Sequence, residues 1–219
     1  MILDDVGGDD SAIEEIFSLT NQITLSILPN HARSFALARR AHAGGYEVML
    51  HLPMESETNE LPESQELRTG MSALDVSRVV DEMLATVPYA AGVNNHQGSR
   101  ATANARLMEL LMPILHERRL FFIDSRTAAA TLAYEVAQRD GVRSGFRNVP
   151  FLDDVQQQRA IRQELERAIR GARERGEAIV IGHPHPETLR VLRQVLPQLT
   201  EEGIELVHAS VLVHALGDQ

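Results

Sequence analysis

Short apolar runs separated by helical periods recur along almost the whole chain, and this alternation constrains the fold more than any other feature. The runs are Ile2–Val6, Ile23–Leu28, Tyr46–Leu52, Tyr89–Val93, Leu120–Ile123, Ala178–Ile181 and Ile204–Val207, with a weaker one at Phe146–Phe151. Too short for helices and rich in β-branched side chains, they read as buried parallel strands. Between them, Leu107, Leu110, Leu111, Ile114 and Leu115 fall on one helical stripe, as do Ile161, Leu165 and Ile169 within 155–175, and Leu189, Leu192, Leu196 and Leu199. Ser11 with Glu14 three residues later predicts a capping box, and Arg173-Glu174-Arg175-Gly176 a basic last turn closed by a glycine. Seven or eight such alternations, with no linker rich in Gly, Ser or Pro, imply one α/β domain over residues 1–219, either a (β/α) barrel or a doubly wound sheet.

Charge narrows the partners. With 21 Lys+Arg against 31 Asp+Glu the formal net charge is −10, which argues against nucleic acid, whose binding rests on neutralising phosphates. Cysteine is absent, so disulfides, thiolate zinc sites and a cysteine nucleophile are excluded, leaving His and carboxylates as ligands. No stretch approaches the roughly 18–20 apolar residues that span a bilayer, and no signal peptide opens this chain. The apolar run before Asp4 is short for a core strand of about 5–6 residues, so an upstream segment is expected to be missing. The acidic, polar stretch Pro53–Gly70 reads as a long loop, either functional or a mobile flap.

Chemistry-capable residues cluster where strands end: Asp4-Asp5, His51 and Glu55, Asn94-Asn95-His96, Asp124-Ser125-Arg126, His183-Pro184-His185, and His208 with Ser210. In barrels and open α/β sheets alike this is the edge where ligands bind. Five of the nine His (51, 96, 183, 185, 208) are expected there, with His42 and His116 on helix surfaces. Plainer readings exist for each: a turn at Asp4-Asp5, a hydrogen-bonded core histidine at 51, a cap through Ser125 or Thr127, and a rigid turn with Pro186 opening a helix. Asn94 to Ser99 is the hardest to read as loop alone, so many hydrogen-bonding groups being costly there. One Asp and two or three His would suit zinc, with a second carboxylate as base. On a regular strand Asp4 and Asp5 point to opposite faces, so one to the metal and one to the base is the natural division.

These residues resemble the divergent polysaccharide deacetylase family, a branch of the glycoside hydrolase/deacetylase superfamily. The segments that carry the resemblance are ILDDVG (2–7), HLPME (51–55), GVNNHQGSRAT (92–102), FFIDSRT (121–127), IGHPHPET (181–188) and GIELVHAS (203–210). It implies an irregular seven-stranded (β/α) barrel and a divalent metal, zinc first, serving metal-assisted hydrolysis of an N- or O-acetyl group on a sugar. By resemblance Asp4 is the base and Asp5 a ligand. His51 is a second ligand, but Glu55 stands four residues on, where the better-known members have another His. His96 is favoured as the third ligand over His183 or His185, which are candidates for the general acid. Asn94, Asn95, Ser99, Glu55, Asp124, Arg126 and Glu187 become contacts to the substrate or to the ligands. The resemblance also implies a periplasmic or secreted protein acting on an envelope glycan. The alternatives are a non-catalytic envelope protein that binds a glycan or partner at the barrel mouth, and another hydrolase of the same mouth: a metal-dependent amidase, or a glycosidase with carboxyl groups about 5–9.5 Å apart drawn from Asp4, Glu55 and Asp124. Aromatic content of 4% without Trp argues against gripping a long sugar chain by stacking. Oligomeric state is not legible.

Overall fold

The computed structural model describes residues 1–8, 12–57 and 61–217; Ser11 of the expected capping box lies outside them. Seven strands form, β1 (Ile2–Val6), β2 (Thr24–Ile27), β3 (Glu47–Met54), β4 (Ala90–Gln97), β5 (Phe121–Asp124), β6 (Ser144–Phe146) and β7 (Ile181–Gly182). The sheet order is β6-β5-β4-β3-β2-β1-β7, every pairing is parallel, and the sheet curls into a half-barrel. Parallel pairing needs a long crossover between neighbours. Here it is supplied by α1 (Ile13–Ile16), α2 (Ser34–Ala43), α3 (Ala73–Thr86), α4 (Ala105–Glu117), α5 (Ala133–Arg139) and α6 (Gln158–Arg175), with α7 (Pro186–Val195) after the last strand. Beyond β6, Asn148 and Leu152 donate their amides to the carbonyls of Ile179 and Ile181, both at 3.0 Å, so this segment runs beside β7 where the sheet would otherwise gape.

Helix boundaries follow local chemistry. Ser72 and Asn104 cap α3 and α4 by accepting the amides of Asp75 and Leu107, and Gly176, at φ +88°, ends α6. The apolar stripes face the sheet: Leu107, Leu111 and Leu115 of α4, Ile161 and Leu165 of α6, and Leu189 and Leu192 of α7 are buried in one core. His42 and His116 are exposed on α2 and α4.

A second, smaller core fills the inside of the curl with Ile2, Met49, Phe121, Ile123, Ile179, Ile181, Ala209 and Val213. The last two come from the C-terminal segment, which corrects one expectation. Residues 204–207 form no strand, and the chain after them crosses the N-terminal end of the sheet. Ala209 donates its amide to Thr24 Oγ1 (2.9 Å), Ser210 to Glu47 Oε1 (3.1 Å), and His208 Nε2 bonds the carbonyl of Asn21 (2.8 Å). Thr24 and Glu47 are the first residues of their strands, so His208 and Ser210 close the floor of the barrel and are remote from its mouth. Polar anchors on neighbouring strand starts outcompete a further ladder for a run that is only partly buried.

Candidate metal centre and its surroundings

Strand β1 coincides with its apolar run and β3, β4 and β5 extend past theirs, so Asp4, Asp5, His51, Asn94, Asn95, His96 and Asp124 lie within the strands and not beyond them. Those polar side chains satisfy one another at the C-terminal rim. Asn94 is fully buried on β4; its Nδ2 donates to Asp4 Oδ1 (2.9 Å) and Oδ2 (3.0 Å), and its Oδ1 accepts from His51 Nδ1 (2.9 Å) and from Ser26. Because a carboxylate only accepts, the amide orientation is determined, and with it the proton on His51 Nδ1, so that Nε2 is the ring atom turned toward Asp5 and His96. A turn at Gln97 (φ +52°) and Gly98 (φ +86°) ends β4, and a Cβ on Gly98 would stand 2.9 Å from that of Met54.

The expected opposition of Asp4 and Asp5 does not hold, and a β-bulge is the reason. Leu3 pairs with Leu25 but Val6 with Ile27, so β1 holds one residue more than β2 across this step, and Asp5 takes φ +55°. Both carboxylates therefore reach His51: Asp5 Oδ1 lies 3.1 Å and Asp4 Oδ2 3.7 Å from its Nε2. His96 Nδ1 stands 3.0 Å from Asp5 Oδ1 and 3.1 Å from His51 Nε2. Asp5 Oδ1, His51 Nε2 and His96 Nδ1 thus make a triangle with edges of 3.0–3.1 Å. The carboxylate oxygen is buried without a partner in hydrogen-bonding geometry, since neither ring aims an N–H at it. Three electron-pair donors this close repel unless a cation or proton sits among them. Their spacing suits nitrogen and oxygen ligands each about 2.0–2.2 Å from one ion, and these three residues could hold a metal.

Charge at the mouth follows from burial and from the imidazoles. Burial raises the Asp4 carboxyl above the usual range, against the pull of His51 and His183. Burial acts on Asp5 in the same direction, but the closely placed His51 and His96 imidazoles override it and hold that carboxyl well below the usual range. His51 is raised because Asp4 and Asp5 outweigh its burial.

A second group faces the same cavity. His183 Nδ1 donates to Asp153 Oδ1 (2.8 Å), while Asp153 Oδ2 accepts the His183 amide (2.7 Å) and Thr188 Oγ1 (2.8 Å). Burial would lower the His183 pKa, yet the bond to Asp153 and the charges of Asp4, Asp153 and Asp5 push it up to about 9. The cavity, of about 230 Å³, is bounded by Asp4, Asp5, His51, His96 and His183, by Phe151, and by a wall of Ser56, Ser99, Asn95, Gln97 and Thr127. Asp153, Phe151 and Ser26 were not singled out as site residues in the sequence, and Ser125 and Thr127 were read there as candidate helix caps. Asp153 had a signal, an acidic pair directly after Phe151-Leu152, but its partner His183 is 30 positions away.

Other expected site residues serve elsewhere. Glu55 accepts from the amide and hydroxyl of Thr69 (2.8 and 2.6 Å), which ties the end of β3 to Thr69. Asp124 accepts from the Arg126 amide, Thr131 Oγ1 and the Tyr134 amide, which is a loop-capping role. Arg126 stacks its guanidinium 3.6 Å over the Phe146 ring, and Glu187 pairs with Gln158 and Arg190 at the start of α7. His185 is both the N-cap of α7, ahead of Pro186, and a partner of Gln156 Nε2 (3.0 Å); it borders a neighbouring cavity and not this one. Neither Glu55 nor Asp124 lines the cavity with Asp4, so the glycosidase pair expected from these three is not assembled there.

A parallel (β/α) half-barrel with an Asp-Asp pair, two His and a His–Asp couple at its mouth defines the polysaccharide deacetylase-like class. The chain belongs to the divergent polysaccharide deacetylase family, whose model matches residues 1–213. It is 38% identical over 214 residues to the uncharacterized protein YibQ of Escherichia coli, covering 98% of this chain and 66% of that one. An uncharacterized protein of Haemophilus influenzae is 38% identical over 207 residues, covering 94% and 73%. The chain thus spans about two-thirds to three-quarters of these relatives. In fold it matches the uncharacterized protein ATU2773 of Agrobacterium tumefaciens at TM-score 0.92, with 24% identity over 97% of this chain and 87% of that chain. A CE4 family pseudoenzyme of Bacillus anthracis superposes at TM-score 0.61, with 11% identity over 96% and 63%.

Proposed function

We propose that this chain is a metal-dependent hydrolase that removes an acetyl-type acyl group from a sugar of the cell envelope, working in the periplasm or outside the cell. The observation that carries the reading is the buried Asp5 Oδ1, left without a hydrogen bond at 3.0–3.1 Å from two imidazole nitrogens. Asp5, His51 and His96 would hold the ion. When bound, a divalent metal such as zinc polarises the acyl oxygen and lowers the pKa of water.

The rest belongs to the chain's own side chains. Asp4, buried 3.7 Å from His51 Nε2, is placed to accept the proton of the attacking water at a carboxylate oxygen, and its raised pKa brings it toward the range of an effective base. His183, protonated at neutral pH, donates from Nε2 to the departing nitrogen or oxygen, and Asp153 on Nδ1 steadies ring and charge. The hydroxyl and amide wall suits the hydroxyls of a sugar.

A second reading, a barrel that binds a glycan or a protein without turnover, is favoured by the fold shared with a pseudoenzyme. Metal analysis of protein purified without chelator, followed by acetate release from a panel of acetylated sugars, separates the two. About one equivalent of metal with acetate release supports the hydrolase. Glycan binding without release would replace it with the second reading.

A further inference from the structure

The Asp5–His51–His96 triangle stands beside two cavities, and they differ in chemistry. The inner one, about 230 Å³, has the wall of Ser56, Ser99, Asn95, Gln97 and Thr127. The outer one, about 550 Å³, shares Asp5, His96 and His183 with it but is lined on the far side by Ala12, Leu28, Leu189, Pro184 and Pro186. Besides Asp5, the acids that line it are already engaged, Glu15 with Arg193 (3.2 Å) and Glu63 with His31 (3.1 Å). Among the described residues neither cavity is lined by an arginine, so neither is built for a carboxylate or phosphate on the substrate.

We infer that the outer cavity receives the hydrocarbon tail of the acyl group, so that the preferred substrates carry acyl chains longer than acetyl. The inference rests on the hydrolase reading and names its substrate class. A substrate R–CO–X must place its carbonyl carbon at the triangle, within reach of Asp4 on the inner side and of His183 on the border. R and X then diverge into the two cavities. The hydrogen-bonding wall suits a polar X, an amino sugar or comparable head, whereas Leu28, Leu189 and the prolines suit R. An acetyl methyl group would leave most of the outer space to water. Each methylene fully buried there is worth about 0.8 kcal/mol, roughly fourfold in affinity; an open-sided cavity gives less.

The test uses product carboxylates, which need no turnover. Zinc-loaded protein is titrated calorimetrically with acetate, butanoate, hexanoate and octanoate. The expected result is an affinity gain of about tenfold or more from acetate to hexanoate, erased by Ala12→Leu, which narrows the outer cavity, while acetate binding is unchanged. Equal affinity along the series, or no zinc taken up to anchor the carboxylate, overturns the inference; the wild-type series decides even if Ala12→Leu does not fold. Hydrolysis of N-acyl glucosamines of the same chain lengths tests the hydrolase reading separately. A length-dependent binding series without hydrolysis sinks that reading and leaves the cavity assignment, whereas hydrolysis with a flat binding series does the reverse.

Discussion

Two groups of the same composition, one Asp and two His, share the mouth of this barrel, and the structure makes them chemically different. Asp5, His51 and His96 put three possible ligand atoms within 3.0–3.1 Å, the two ring nitrogens sharing a hydrogen bond, and the carboxylate oxygen among them has no donor. In Asp153, His183 and His185 the carboxylate accepts a ring N–H, a backbone N–H and a hydroxyl. A carboxylate already saturated by donors orients an imidazole; one left bare invites a cation. Hydrogen-bond saturation, not residue type, separates these two groups, both of which could hold a metal ion by composition.

The sharpest break comes from the carboxylates. Asp5→Ala should abolish metal retention in elemental analysis, and Asp153→Ala should keep it; equal loss in both would erase the distinction. Next, Asp4→Asn should retain metal and lower acyl release by about 10²–10⁴-fold, the usual contribution of a general base; undiminished release would remove Asp4 from that role. Asn94→Leu leaves every ligand in place but frees the His51 ring, and metal affinity measured by chelator competition should fall about 10–100-fold, as when outer partners of ligands are lost.

The His–Asp couple should show itself in pH dependence. His183, raised to about 9 from 6.5, contributes stability that is complete below pH 6.5 and lost as pH rises through about 9. Asp153, whose pKa is lowered, contributes above its ordinary 3.8 and loses this as pH falls. In metal-free protein, thermal melts should therefore show Asp153→Asn destabilised most between about pH 4 and 9, the gap to wild type closing on either side; a pH-independent gap would count against the ion pair. The smallest effect is expected from Glu187→Ala. Half-buried and paired with Gln158 of α6 and Arg190 of α7, it should leave metal binding and release unchanged and stability within about 0.5 kcal/mol.

Much of this was legible in the chain. Strands β1 to β5 were announced by their apolar runs, β6 and β7 meet theirs only at Phe146 and Ile181, and the run at 204–207 forms no strand; Asp4, Asp5, His51, His96 and His183 were marked by their place toward the ends of such runs. Legibility ended where a side chain's partner comes from a distant loop. Glu55, Asp124, Arg126 and Glu187 occupy strand ends or helix starts, yet backbone amides, an aromatic ring and neighbouring charges claim them. Asp153 belongs to a segment whose pattern resembles any acidic turn, and only its approach to His183 gives it a role.

The periodicity of apolar residues by itself determined a parallel α/β architecture, because burying those runs on both faces leaves few other arrangements, and it put the polar clusters at the strand ends. Tertiary structure alone decided which polar groups meet. The bulge that turns Asp4 and Asp5 toward the same histidine is a one-residue offset between two paired strands, and the tautomer of His51 hangs on an amide from the neighbouring strand. Such choices are made by hydrogen bonds between residues dozens of positions apart, whose energies depend on ångström-scale geometry that no local pattern encodes.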